Sequence, residues 1–249
     1  MPVASSLSPG PSPARGRGEQ NAAPNGYDLS SISHAIFNHH ISTNHHHTMT
    51  YPAFFDQAPT ITMHDRLAEF LGASGDGMLT YRYIDAVRLA GHSCPTVAGA
   101  WLMTRRALQM LYPDQIPERG AIDVMFSSAQ DEGVTGVIAS VVGLVTGAAG
   151  PGGFKGIGGN FNRQNLLHFA GDFPGEARFA RSDTGAEAYL RMHMQRVPGD
   201  PRIDELLRAG LAGRATPEEK KEFASLWQQR VKRILIDHAD DTELIGVIV

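Results

Sequence analysis

The sequence predicts an α+β domain, a mixed or antiparallel sheet packed against helices, with a helical extension at the C-terminal end. Short, near-alternating apolar segments fall between residues 79 and 194, where strands of a half-buried sheet would put them. Longer apolar runs at 95–111 and 134–145 have the spacing or length of buried helices. After Pro198 the pattern is helical alone.

Residues 1–48 are rich in Pro, Ser, Gly, Asn and His and poor in large apolar side chains, so ordering them would not be offset by burial. They are expected to be mobile and to lie outside the fold. Their histidines, His39, His40 and His45 to His47, could chelate a metal only weakly without a scaffold to fix geometry, and low-complexity composition is the better explanation of them. Globular patterning begins just after Met49, which makes Met1 and Met49 alternative starts.

A short helix is expected over 64–71, with Gly72 as its stop. Tyr81, Tyr83, Val87 and Leu89 nearly alternate, so Leu79 to Leu89 reads as a strand that delivers the chain to His92. Pro95 opens a helix whose apolar residues run from Val97 to Leu111. A buried strand over 121–126 and a small-residue helix over 134–145 come next. Residues 163–169 and 176–181 are further strand candidates, and Asp183-Thr184-Gly185 turns the chain into a last strand over 187–194. In the C-terminal part, 203–211 is helical, and Thr216 with Glu219 three residues later forms a capping signature for a helix reaching about Asp237. The core thus spans 49–197 and the helical extension 198–249.

With 249 residues, 42% of them hydrophobic, the chain is long enough for one substantial core. Its formal charge of -4 gives no electrostatic case for nucleic acid. The longest apolar run, Val134 to Ala149, is broken by glycines and too short for an ordinary membrane span. A single cysteine permits no internal disulfide, and no secretory signal pattern opens the chain, so the cytoplasm is the expected compartment.

That cysteine sits in Gly91-His92-Ser93-Cys94-Pro95, two residues from a histidine and at a helix start. A thiolate and a neutral imidazole both ligate zinc and similar transition metals, and the positive end of a helix favours the thiolate. The same pair could hold haem, or act without metal, with Cys94 as nucleophile and His92 as its base. A buried thiol beside a turn histidine is the plainer alternative.

The segment Ala90-Gly-His-Ser-Cys-Pro-Thr-Val-Ala-Gly-Ala-Trp-Leu-Met-Thr-Arg105 resembles the opening motif of the FmdE family, named for one of the subunits of formylmethanofuran dehydrogenase, a Gly-His-x-Cys-Pro turn leading into a glycine-containing helix. Thr146-Gly147 and the glycine-rich loop behind it are similar to that family's later region. The resemblance covers residues of about 60 to 195. It implies an α+β domain, often dimeric, with a metal or active site around His92 and Cys94, zinc being the first metal expected. It also implies either a role in handling that metal or a ligand in redox metabolism, or a non-catalytic subunit of a redox or metalloenzyme assembly. Two departures matter. Many relatives carry a further cysteine where this chain reads Ser127-Ser128-Ala129-Gln130-Asp131-Glu132, and some append a cysteine-rich zinc finger that helices replace here.

With one sulfur available, the remaining ligands of a metal at His92 and Cys94 must be nitrogen or oxygen. His64 is the leading candidate, with Asp65 beside it as a ligand or as the carboxylate that orients its ring. His168 and His193, in strand-like runs, are better read as packed side chains, and Asp131 and Glu132 as helix-opening acids or oxygen ligands. No iron-sulfur cluster or molybdenum or tungsten centre can be built from one cysteine, so formylmethanofuran oxidation is not expected. Eight glycines lie between Gly143 and Gly159, matching no nucleotide-binding fingerprint. The loop they form is read as a cover over the Cys94 site, with Lys155, Asn160 and Arg163 available to a polar or anionic ligand, or else as a plain connection.

Overall fold

A computed structural model describes residues 51–248. The expectations placed on residues 1–48, their histidines and Met49 lie outside the described residues. In chain order the elements are β1 Ile61–His64, α1 Arg66–Phe70, β2 Met78–Tyr81, α2 Tyr83–Ala90, α3 Pro95–Leu111, β3 Ile122–Phe126 and α4 Thr135–Thr146. They continue with β4 Leu167–His168, β5 Ala177–Arg181, β6 Glu187–Met192, α5 Ile203–Leu211, α6 Pro217–Lys232 and β7 Ile245–Ile248.

The architecture is α+β. β1 and β2 form an antiparallel pair, and a five-stranded sheet has the order β4-β3-β5-β6-β7, antiparallel except for the parallel pairing of β3 with β4. Period-two alternation sets one face inward: Ile122, Val124 and Phe126 of β3 are buried, as are Phe179 of β5 and Leu190 of β6. The intervening Asp123, Arg178 and Tyr189 remain partly exposed.

Helix α3 is the centre of the core. It packs against α2, α4, α6, β5, β6 and β7, and Trp101, Leu102 and Met103 are fully enclosed. Close approach depends on its small residues: a Cβ on Gly99 would sit 2.8 Å from the sulfurs of Met192 and Met194, nearer than real contacts allow. Trp101 is held at its polar end, where Nε1 donates to the Pro59 carbonyl at 2.9 Å.

Three local expectations are corrected. Leu79 to Leu89 is not one strand: the strand stops at Tyr81 and α2 begins at Tyr83. The alternation of aromatic residues is real but is outweighed by a helix start, in which the Asp85 carboxylate accepts from the Arg82 N–H at 2.8 Å, while Tyr83, Ile84, Ala86 and Val87 bury one helical face. Helix α2 ends at Gly91, in the left-handed region at φ 74°, so the chain reaches His92 from a helix. Of 163–169 only Leu167–His168 is strand. Asn165 stands at φ 54° and the Asn162 carboxamide accepts from the Gln164 N–H, which gives the backbone a turn instead. The last strand of the core ends at Met192, and Met194–Arg196 is a 3-10 turn.

The C-terminal helices are where the sequence puts them, with the Thr216 and Glu219 capping box formed and a π-turn over Arg233–Asp237. The end of the chain departs from the expectation: β7 pairs with β6 and completes the main sheet, so the extension is not wholly helical.

Candidate functional site

The two ends of α3 present different chemistry. At its N-terminal end Cys94 is the capping residue, buried, with Sγ accepting from the Val97 N–H at 3.4 Å. The next residue, Pro95, supplies no N–H and needs none at this position. His92 is exposed, and its Nδ1 bonds the Ala90 carbonyl at 2.9 Å. Between them the Ser93 carbonyl accepts from Trp227 Nε1 at 3.0 Å and Gln228 Nε2 at 3.1 Å, so α6 secures the turn. Each of these three residues is engaged with nearby backbone or with α6. His92 and Cys94 are neighbours in the chain, and no hydrogen bond joins them.

The other expected ligands do not gather there. His64 pairs through Nδ1 with Glu118 at 2.7 Å and through Nε2 with Glu69 at 3.4 Å. The Glu118 hydrogen bond raises its pKa above the ordinary histidine value, against the opposing effect of burial. Both carboxylates stabilise the protonated imidazole, and its hydrogen-bond and ion-pair partners are these two and not His92 or Cys94. His168 Nε2 meets Asp123 at 3.0 Å on the partly exposed face of the sheet. His193 packs beside Gly246, and Asp131 and Glu132 are exposed. Among the described residues no group of three or more His, Cys, Asp or Glu side chains could hold a metal ion.

Seventeen residues separate the ends of α3, which at the helical rise amounts to roughly 25 Å. Beyond its C-terminal end lies a cleft of about 490 Å³ whose wall carries Arg66, Arg119, Arg163 and Arg181 with Glu118 and Asp183. Its foundation is Asp65, which caps α1 by accepting from the Leu67 and Ala68 N–H groups and is almost fully buried. One Asp65 oxygen accepts from Arg119 at 2.9 Å, the other from Arg163 at 2.7 Å. Burial pushes the Asp65 carboxyl up, but the Arg119 hydrogen bond, the Arg163 charge and the Ala68 N–H outweigh it and hold it below the usual carboxylate range.

The guanidiniums differ in what they have left to give. Arg119 also donates to the Val145 and Leu144 carbonyls, where it satisfies the end of α4. Arg181 donates to both Asp183 oxygens, to the Leu111 carbonyl and to Gln115, and lies 3.9 Å from the Tyr112 ring centroid. Arg163, with a side-chain exposure of 8%, gives among the described residues only its Nη2 bond to Asp65, so one of its five N–H groups is used there. Among the described residues its Nε is buried without a hydrogen-bond partner, and so is the hydroxyl of Tyr112, which also lines the cleft. Burial draws the Arg163 pKa down, with Asp65 opposing, yet a guanidinium stays charged at neutral pH.

Gly120 is required by this arrangement. Its φ is 84°, and a Cβ there would fall 1.2 Å from Arg163 Nη1, so the guanidinium lies directly against the backbone. Asn160 and Arg163, two of the three residues expected to meet an anion, do line the cleft; Lys155 is exposed and is not part of its wall. The glycine loop therefore contributes to the far end of α3. Asp65, expected as a ligand or as the carboxylate orienting His64, pairs instead with Arg119 and Arg163, while Glu118 and Glu69 take the His64 ring; Glu118, Arg119 and Arg181 carry no signal in the sequence. A scan against models of known protein families returns no match for this chain, and no curated protein matches it.

Proposed function

We propose that the protein binds a small organic anion in the cleft beyond the C-terminal end of α3. The observation that supports this most directly is Arg163, a buried guanidinium with one of its five N–H groups paired, in the wall of a cavity. Leaving buried donors unsatisfied costs free energy, and a bound carboxylate or phosphate would supply charge-assisted partners. Asn160 adds a polar side chain to the lining of the same cleft. The cavity volume falls in the range of about 300–1,000 Å³ typical of small-molecule sites. Calorimetric titration of the full chain with acetate, benzoate, succinate and inorganic phosphate, at constant ionic strength, tests the reading. Saturable binding that Arg163→Lys weakens is expected, since lysine keeps the charge but loses the fork. Absence of saturable binding by any of the four anions overturns it.

A second reading keeps the FmdE resemblance: a transition metal, zinc first, at His92 and Cys94. In its favour, the Cys94 sulfur sits at the positive end of a long helix, and His92 Nε2 makes no hydrogen bond within the described residues. The remaining ligands would come from a second copy of the chain, a redox or metalloenzyme partner, or residues outside 51–248. Stoichiometric metal in the purified protein that disappears in Cys94→Ser would favour this reading, and metal content unchanged by that substitution would sink it.

A further inference from the structure

Resting on the anion-site reading above, we infer that the ligand is a monocarboxylate carried on a flat apolar body, and not a phosphate or a di-acid. Charge is the first reason. Four guanidiniums face the cleft, Glu118 and Asp183 lie on the same wall and Asp65 beneath it, which leaves an excess of one positive charge. Arg119 is committed to Asp65 and Arg181 to Asp183, and Arg66, 71% exposed, is held to Glu118 by one ion pair and screened by solvent, so a second ligand charge would find no buried cation to spare and would face Glu118.

Donor geometry is the second reason. A carboxylate needs one planar fork with two parallel N–H groups, and Arg163 is the buried guanidinium of the cleft with donors to spare. A phosphate is usually cradled by several backbone N–H groups, and the glycine loop could have provided them. It does not: the Ile157 N–H bonds the Asn160 carbonyl and the Asn160 N–H bonds the Ile157 carbonyl, closing the turn on itself, and Gly156, Gly158 and Gly159 are absent from the cleft wall.

The third reason is the apolar part of the lining. Phe161 and Ile116 line the cleft with the Tyr112 ring, and Ile116 is 53% exposed despite its apolar side chain. Phe161 holds a left-handed backbone, φ 62°, which a bulky residue adopts at a cost, and its ring lies 5.3 Å from that of Phe70. An apolar ligand body would cover these surfaces while its carboxylate reaches Arg163.

Competitive calorimetry with benzoate, acetate, succinate and inorganic phosphate is the test, repeated on Phe161→Gly, which removes the ring and relieves the backbone. Benzoate should bind about tenfold or more tighter than acetate, the scale expected for burying a ring-sized apolar surface, and tighter than succinate or phosphate. In Phe161→Gly the benzoate advantage should shrink while acetate affinity stays within about twofold, a difference below 1 kcal/mol on the affinity scale. Succinate or phosphate binding as tightly as benzoate, or a benzoate advantage untouched by Phe161→Gly, overturns this inference and leaves the anion site standing. If none of the four binds, both fall.

Discussion

Both ends of α3 look like sites, and the contrast lies in whether their buried polar groups are already paired. At the Cys94 end the sulfur caps the helix, His92 bonds the chain two residues back, and the Ser93 carbonyl takes two donors from α6. The motif closes a turn between two helices and is held there by the C-terminal part of the chain. At the Tyr112 end, by contrast, a buried carboxylate gathers two arginines, and one of these keeps most of its donors unspent at the edge of a cavity. A group whose hydrogen bonds are complete is a structural device; one whose bonds are incomplete next to open space has room for a ligand.

Substitutions at the two ends should therefore differ in kind. The largest effect is expected for Asp65→Asn, which leaves two guanidiniums short of their shared carboxylate in a buried setting. Stability should fall by about 3–5 kcal/mol in denaturant unfolding, the cost of removing one member of a buried ion pair. The pairing also has a pH signature. Asp65 is held below its unfolded pKa, so its contribution is present above that value and is lost as pH falls through the lower, folded one. Wild type should lose more stability on acidification than Asp65→Asn does. An Asp65→Asn protein as stable as wild type would remove the basis for contrasting the two ends.

Next comes Gly120→Ala. The added methyl would overlap Arg163 and the backbone would be strained at its positive φ, so a loss of about 1–3 kcal/mol in unfolding stability is expected together with weakened anion binding. No charge is removed, which separates the position of Arg163 from its presence.

A smaller effect is expected from His64, on the shoulder of the cleft. Its pKa is raised by Glu118 and Glu69, so its contribution to stability is fully present below the unfolded value of about 6.5 and is lost as pH rises through the folded value. Comparing thermal midpoints of wild type and His64→Gln at pH 6 and pH 8.5 checks the sign: the wild-type advantage should be larger at pH 6.

Smallest of all should be Cys94→Ser, because serine is a favoured helix cap and can accept from the Val97 N–H in place of sulfur. A change within about 1 kcal/mol is expected in the same unfolding assay. Severe destabilisation, above all if a bound metal is lost with it, would reverse the comparison and make the Cys94 end the working one.

Much of the fold is legible in the sequence because it is written locally. The apolar spacing of Val97 to Leu111, the capping pair Thr216 and Glu219, and the run Val134 to Val145 each state a helix within one stretch of chain. Helix α2 is harder to read, since Tyr81, Tyr83, Val87 and Leu89 fit an alternating pattern nearly as well as a helical face. The decisive Asp85 cap is a single bond. Strand β7 is four residues long with a glycine in it, and owes its conformation to the edge of β6. The site is harder still. Asp65 and Arg163 are 98 residues apart, Asp65 and Arg119 are 54 apart, and nothing near any of them marks the others.

Periodicity and capping act over a few residues, and they are enough to establish the α+β class, the principal helices and one thiol at a helix start. That the thiol is a paired cap, and that Asp65, Arg119 and Arg163 meet, emerges only in the folded chain. Both outcomes depend on how distant segments close on one another: α6 against the turn before α3, and the loops after α3 and α4 against the first turn of α1. Once closed, a buried carboxylate requires cations, and the one left with spare donors defines where a ligand would bind.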